Sequence, residues 1–330
     1  MKYRIYIVTW ANGFFGSAGQ SWISLDVKVL EAKLKSLGQE VVVVPINLIS
    51  CINLNKEDIV IYNSSDQDEL RSYIKDVIYI ISKKCRVIPS LDALMSHENK
   101  GFQELFRREH EFGSLPGCYF VSPDENTMKP PYVLKSVSGA GSSGVWLVSD
   151  EGKEKALYSK FFSVSITRKL KLMHRKLKLS TSEFSLYKYR HSGLKRFVSQ
   201  EFIPALSGDY KVLVFSNKYY VLKRNVRKND FRASGSGNFN FENVPTEVLD
   251  YARSVFDKLD EPYASLDIAV SGNQAYLIEY QILNFGPYTL KNSNGYYNLK
   301  NDEWVFVEKN SCLENEFGEA LVDYIVNKKN

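Results

Sequence analysis

Four short apolar runs punctuate the first 90 residues: RIYIVTW, EVVVVPI, IVIYN and CRVIPS. Each is nearly continuous in apolar residues, so each reads as a strand buried on both faces. Between the first two lies a helical pattern, with Ile23, Val27, Leu30, Leu34 and Leu37 three or four apart. Gly38 stands where a helix C-terminus is expected. A second helix is expected around Asp68–Ser82. Buried strands separated by helices require a parallel sheet, because parallel neighbours need long crossovers. The N-terminal region is therefore expected to be an open α/β domain. Its first loop, NGFFGSAGQS, has Gly13, Gly16 and Gly19 at a spacing of three and three, which excludes a G-x-G-x-x-G dinucleotide site.

The chain has 330 residues, of which 44% are hydrophobic and 25% charged. That excludes a disordered tail, a collagen and a coiled coil. The length suits two to three domains or subdomains. Cys51, Cys85, Cys118 and Cys312 are widely spaced with no C-x-x-C pair, which argues against a disulfide scaffold and a cysteine zinc site. The first residues are too polar for a signal peptide, and no window reaches the roughly 18 apolar residues of a membrane span. A reduced, cytoplasmic protein is expected.

The net charge of +5 is unevenly spread. Residues 160–196 hold eleven Lys/Arg and one acid, Glu183, whereas the remainder holds 32 basic and 37 acidic residues. Two readings stand: a solvated helical insertion, or a docking face for an anionic partner. In TRKLKLMHRKLKL, Leu170, Met173 and Leu177 fall at helical spacing, giving a basic amphipathic helix.

Two segments carry the chemistry. The first is SGAGSSG (Ser138–Gly144), between two strand-like runs. It is a hairpin tip rich in backbone N–H groups, which can wrap phosphate oxygens. No G-K-[ST] and no helix follow it directly, so it is not a P-loop. Lys135 precedes it within the apolar run PYVLK, and a buried lysine needs a partner such as phosphate. The second is SLDIAVSGNQAYLIEYQ, two strands joined by the turn Ser271-Gly272-Asn273. Glu279 and Gln281 project from one face, and Asp267 can face them across the hairpin. Three oxygen ligands on one face suit Mg²⁺. A cross-strand pairing of the acids with Lys or Arg is the other reading. The four histidines (His97, His110, His174, His191) show no ligand spacing, and no G-x-S-x-G, Cys/His or H-E-x-x-H pattern signals a protein nucleophile or zinc.

The order of these features resembles the ATP-grasp superfamily, nearest its carboxylate–amine ligases of the glutathione-synthetase and ribosomal-protein glutamate-ligase type. It covers about residues 90–290. The resemblance implies that Lys100, in HENKGFQELF, and Lys135 bind the nucleotide's phosphates. It makes Ser138, Gly139, Gly141, Ser142, Ser143 and Gly144 part of a lid loop over them. Glu201, Phe202 and Ile203, in SQEFIP, match the hinge that binds adenine. Asp209 falls where an acid commonly meets the ribose. Arg224 and Arg232, in KRNVRKNDFRASGSGN, match the arginines that hold the γ-phosphate and the acyl phosphate. Asp267, Glu279 and Gln281 match the metal triad, with Gln281 where the family usually has Asn. Lys211 stands where relatives often have Arg, which removes a bidentate contact.

The resemblance implies an α/β ATP-grasp fold with an N-terminal open parallel domain (1–97). A mobile α+β lid subdomain (98–198) with the basic insertion 160–196 and a C-terminal α+β subdomain (199–330) follow. The implied activity phosphorylates a carboxylate to an acyl phosphate and couples it to an amine, releasing ADP and phosphate. The implied cofactors are ATP and Mg²⁺, as two ions that Mn²⁺ can replace. The expected substrates are a small-molecule, glycan or peptide carboxylate and an amine, in surface-polysaccharide or peptide-type metabolite biosynthesis. A homodimer is compatible with this; nucleic acid is not an expected partner. The alternatives are a nucleotide-binding scaffold that has lost catalysis, and a basic-surface binder of nucleic acid or membrane.

Overall fold

The computed structural model of the chain describes residues 3–16, 25–113, 115–139, 144–191, 193–227, 232–233, 237–241 and 243–328. The N-terminal part runs β1 (Arg4–Thr9), α1 (Val27–Lys35), β2 (Glu40–Pro45), α2 (Ile46–Ile49), β3 (Ile59–Ile61), α3 (Asp68–Ile81), β4 (Arg86–Ile88) and α4 (Leu91–Ser96). The four strands pair in parallel in the order β2-β1-β3-β4. Tyr6, Val8 and Val60 pack with Ile74, Ile78 and Ile81 of α3. Ile5 and Ile7 point to the opposite face and are fully buried too. Burial on both faces is why the central strands β1 and β3 read as unbroken apolar runs, whereas Val43 of the edge strand β2 is exposed. Asp26 caps α1 by accepting the Lys28 N–H, and Gly38 takes the left-handed φ of +68° just past the helix end.

The middle of the chain runs α5 (Lys100–Glu109), β5 (Gly117–Phe120), β6 (Tyr132–Ser136), β7 (Val145–Val148), α6 (Glu151–Phe161), α7 (Ile166–Lys178), α8 (Thr181–His191) and β8 (Phe197–Glu201). Its antiparallel sheet has the order β5-β8-β6-β7. Tyr132, Leu134, Val148 and Phe197 form its core with Phe120, Trp146, Leu157 and Phe161. The sequence pattern reads LPGCYFVSP as a chain break, yet it contains β5, paired with β8 from Gly117 to Phe120.

The C-terminal part runs β9 (Gly208–Phe215), β10 (Lys218–Asn225), β11 (Phe239–Asn240), α9 (Thr246–Leu259), β12 (Tyr263–Ser271), β13 (Gln274–Gln281), α10 (Tyr288–Asn292), β14 (Gly295–Lys300), β15 (Glu303–Glu308) and α11 (Leu313–Asn327). Its sheet has the order β13-β12-β9-β10-β14-β15, with β11 on β10. The Asn- and Gly-rich run NFGPYTLKNSNGYYN holds α10 and opens the β14–β15 hairpin. Aromatic contacts fix that hairpin: Trp304 sits edge-on to Tyr219 at 4.9 Å.

Residues 1–98 and 205–330 form one compact unit, and residues 99–204 form another. Within the larger unit α1 packs on α11. A Cβ at Gly318 would lie 2.8 Å from the Lys33 side chain, so only glycine permits this approach. Lys33 then reaches Glu319 at 3.0 Å, and Lys218 reaches Glu319 and Glu316 at 2.7 and 2.9 Å. Leu283, beyond β13, joins the core of the parallel sheet.

Glu261 is a second tie. It is 4% exposed and accepts the Ser90 N–H at 3.0 and 3.3 Å through its two oxygens. Burial pushes its carboxyl from an ordinary 4.5 up to about 7, against the hydrogen bonds from Ser90. A carboxyl whose pKa is raised by folding binds more protons folded than unfolded between pH 4.5 and 7. Its charge therefore costs stability as pH rises through that window. Glu261→Gln keeps an oxygen for Ser90 and removes the charge. We expect it to match wild type near pH 4.5 and to exceed it by about 3 kcal/mol above pH 7 in urea unfolding.

Candidate functional site

Side chains alternate along β9, so Asp209, Lys211, Leu213 and Phe215 share one face. Opposed residues of antiparallel strands also share a face. Arg224 of β10 opposes Asp209, and Asp267 of β12 opposes Lys211. On β13, Glu279 opposes Asp267 and Gln281 opposes Ser265. A register shift follows directly after Asp267, leaving the Asp267–Glu279 pair intact. One face of one sheet thus presents Asp209, Lys211, Arg224, Asp267, Glu279 and Gln281.

Four of these groups form an ionic network. Arg224 Nε donates to Asp209 Oδ1 at 2.6 Å, and its Nη2 lies 2.9 Å from Asp267 Oδ2. Lys211 Nζ donates to Asp267 Oδ1 at 3.1 Å. Arg224 and Asp209 are buried, and Asp267 partly so. Burial drives Asp209 up to about 6 against the pull of Arg224, with Asp267 adding to the rise. Burial also acts to raise Asp267, but Arg224 and Lys211 outweigh it and hold Asp267 well below the usual carboxylate range. Asp267 therefore stays ionised at neutral pH. The Lys/Arg pairing of Asp267 is the second of the readings that its spacing left open. Among the described residues no three His, Cys, Asp or Glu side chains are grouped to hold a metal ion. The set on this face has two carboxylates and an amide. Arg232 is half-buried, beyond β10, and its carbonyl accepts the Arg227 N–H at 3.1 Å.

The smaller unit carries the other candidates. Lys100 is the first residue of α5, whose N-cap Asn99 accepts the Phe102 N–H. Its backbone N–H donates to Val137 O at 2.9 Å and its Nζ to Gly139 O at 2.8 Å. Lys135 on β6 donates to Gln200 Oε1 at 2.5 Å, and both residues are buried. Lys100 and Lys135 thus flank the start of the Gly/Ser loop. Ser138 is exposed, and its carbonyl accepts from Ser136 Oγ at 2.8 Å. Gly144 closes the loop at φ +79°, where a Cβ would lie 2.0 Å from Ser136 Oγ. Gly141, Ser142 and Ser143 lie outside the described residues. Glu201 ends β8 exposed, with Phe202 and Ile203 half-buried after it.

Sequence reasoning missed Gln200 and Ser265. Gln200 adjoins Glu201 in SQEFIP, and strand parity places it diagonal to Lys135 once β6 and β8 are paired. The Ser265 Oγ is buried opposite Gln281 and has no hydrogen-bond partner. Nothing in the run SLDIAV marks that hydroxyl.

No family model matches the chain, and no curated protein matches it. Solved structures do. D-cycloserine synthetase DcsG matches with a TM-score of 0.55 at 11% identity, over 97% of this chain and 99% of its own. The ATP-grasp ligase PsnB, complexed with precursor peptide PsnA2 and AMPPNP, gives 0.52 at 12%, over 97% and 96%. The ADP complex of PurK, an N5-carboxyaminoimidazole ribonucleotide synthetase, gives 0.52 at 11%, over 89% and 73%. The chain has the ATP-grasp fold. In ATP-grasp terms, the ionic network lies on the sheet of the C-terminal part and the two lysines lie in the smaller unit.

Removing Arg224 would take the ion-pair partner from buried Asp209 and leave Asp267 with Lys211 alone. We expect Arg224→Ala to lose about 3–5 kcal/mol of stability in urea unfolding. Arg224→Lys keeps a charge and should lose distinctly less.

Proposed function

We propose that this protein is an ATP-dependent carboxylate–amine ligase. The observation that carries the reading is the ATP-grasp fold across nearly the whole chain. Two buried lysines beside the Gly/Ser loop and a cross-strand carboxylate pair on one sheet face support it. We assign Lys100 and Lys135 to the nucleotide's phosphates, as fixed positive charges in a water-poor setting. Ser138, Gly139 and Gly144, with Gly141, Ser142 and Ser143, are the proposed lid loop, and Glu201, Phe202 and Ile203 the proposed adenine hinge. Arg224 and Arg232 are assigned to charge developing on the transferred phosphoryl group. We give Asp209 the role of orienting Arg224, in place of the ribose contact the resemblance implies. The parts 1–97, 98–198 and 199–330 are the proposed functional division.

Two carboxylates and an amide oxygen on one face fit a hard, oxygen-seeking cation. Asp267, Glu279 and Gln281 would hold Mg²⁺, which when bound neutralises phosphate charge. Lys211 and Arg224 keep Asp267 in the ionised form that ligation requires. In the proposed reaction a carboxylate oxygen attacks the γ-phosphorus, and ADP leaves. The amine then attacks the acyl carbon, phosphate leaves, and the nitrogen gives up a proton. Activation lies in the acyl phosphate, so no protein nucleophile takes part. Water must be kept from that intermediate, which is the proposed role of the lid.

DcsG is named for a small-molecule product and PsnB is bound to a peptide, so both a small molecule and a peptide are candidate substrates. All four cysteines are free, which supports placement in the reducing cytoplasm. Among the described residues no helix is long and apolar enough to cross a membrane.

Thermal unfolding with AMPPNP, with and without Mg²⁺, tests the reading. At about 100 times its Kd a ligand adds roughly 2.7 kcal/mol, or several degrees. We expect a Mg²⁺-dependent rise that Glu279→Ala removes and Lys135→Met weakens. ADP release with a screen of carboxylates and amines should follow. No shift in folded protein would overturn nucleotide binding; a shift with no ADP release across the screen would favour the scaffold without catalysis.

A further inference from the structure

The basic insertion is not used by the ligase reading. Helix α7 carries Arg168, Lys169, Lys171, Arg175, Lys176 and Lys178 and no acid. Ile166, Leu170, Met173 and Leu177 recur at steps of four, three and four, so they form one row within about 60° of the helix circumference. All four are exposed, from 59% at Leu170 to 87% at Leu177. A different side of α7 meets α8: Arg175 lies over the Tyr187 ring at 5.6 Å, and Leu172 is half-buried. The row is therefore spare, unused by the hairpin's own packing. On the same wheel Lys169 and Lys176 flank it on one side, and Lys171 and Lys178 on the other.

The charge selects the occupant. A second copy would set six cations against six, so self-association through this face is disfavoured. A nucleic acid would engage the cations but gain nothing from a central aliphatic row. The row is the convex ridge of a helix, not a groove into which a partner helix lays its apolar face. An anionic bilayer satisfies both features, because aliphatic side chains enter the acyl boundary while lysines on either side reach headgroup phosphates. We propose that α7 docks on an anionic lipid surface, with Ile166, Leu170, Met173 and Leu177 inserted and the flanking lysines on the headgroups.

Cosedimentation with phosphatidylcholine vesicles, with and without phosphatidylserine, tests this. The full chain should pellet with phosphatidylserine vesicles at low salt, remain soluble with phosphatidylcholine alone, and be released by high salt. Leu170→Gln with Leu177→Gln leaves the charge unchanged at two exposed positions. It should weaken binding about tenfold or more, with the unfolding midpoint and the AMPPNP shift unaltered. Lys169→Gln and Lys176→Gln should each weaken it about fivefold. Three results would overturn the proposal: no phosphatidylserine-dependent pelleting at low salt, binding that the leucine variant leaves intact, or tight binding of duplex DNA without vesicle binding. None depends on whether the chain is a ligase.

Discussion

The ion network of Arg224 with Asp209 and Asp267 is the constraint on which the polar sheet face depends. Its members come from three adjacent strands, β10, β9 and β12. Each charge alone would be expensive to desolvate; together they neutralise one another at 2.6 and 2.9 Å. That fixes the register. A one-residue slip of β9 would turn Asp209 and Lys211 into the opposite face and bring Tyr210 and Val212 out. It would also strand Arg224 between two unpaired positions. The arrangement thus selects one pairing of β9 with β10 and β12, while the separate β12–β13 register puts Glu279 opposite Asp267.

The same face changes character within two residues. Beyond Asp209 and Lys211, β9 presents Leu213 and Phe215, both fully buried. Phe215 meets Phe317 of α11 at 5.6 Å and Phe285 at 6.0 Å, and Tyr263 meets Phe317 at 4.0 Å. An aromatic cluster therefore anchors one end of the strands that carry ions at the other. Functional groups placed on strands held this way keep their geometry better than groups on loops. The smaller unit uses a separate device, in which the amide of Gln200 occupies the buried ammonium of Lys135.

Periodicity made the parallel sheet and the helices α1 and α3 legible, because each buries a repeating stripe. The β12–β13 hairpin was legible from its turn and from acids set in apolar runs. Strand β5 was obscured by Pro116 and Gly117, which read as punctuation, although Gly117 is held there by close approach to Glu104. The β14–β15 hairpin was obscured by Asn and Gly, and by its half-exposed faces, which lack a continuous apolar run. The partners of Lys135 and Arg224 depend on cross-strand register, which one-dimensional spacing does not contain. Sequence order alone could therefore mark Asp209 as a ligand contact and give no sign that Arg224 occupies it.

The departure at Lys211 fits this geometry. Asp267 has two oxygens and two cationic neighbours, one for each: Oδ1 takes Lys211 and Oδ2 takes Arg224. An arginine at 211 would present a planar fork able to claim both oxygens. It would then compete with Arg224, whose Nε is already committed to Asp209 at 2.6 Å. A lysine is a point charge on a flexible stem and takes one oxygen only. Lys211 thus lets Arg224 bridge both carboxylates, and it holds Asp267 ionised opposite Glu279.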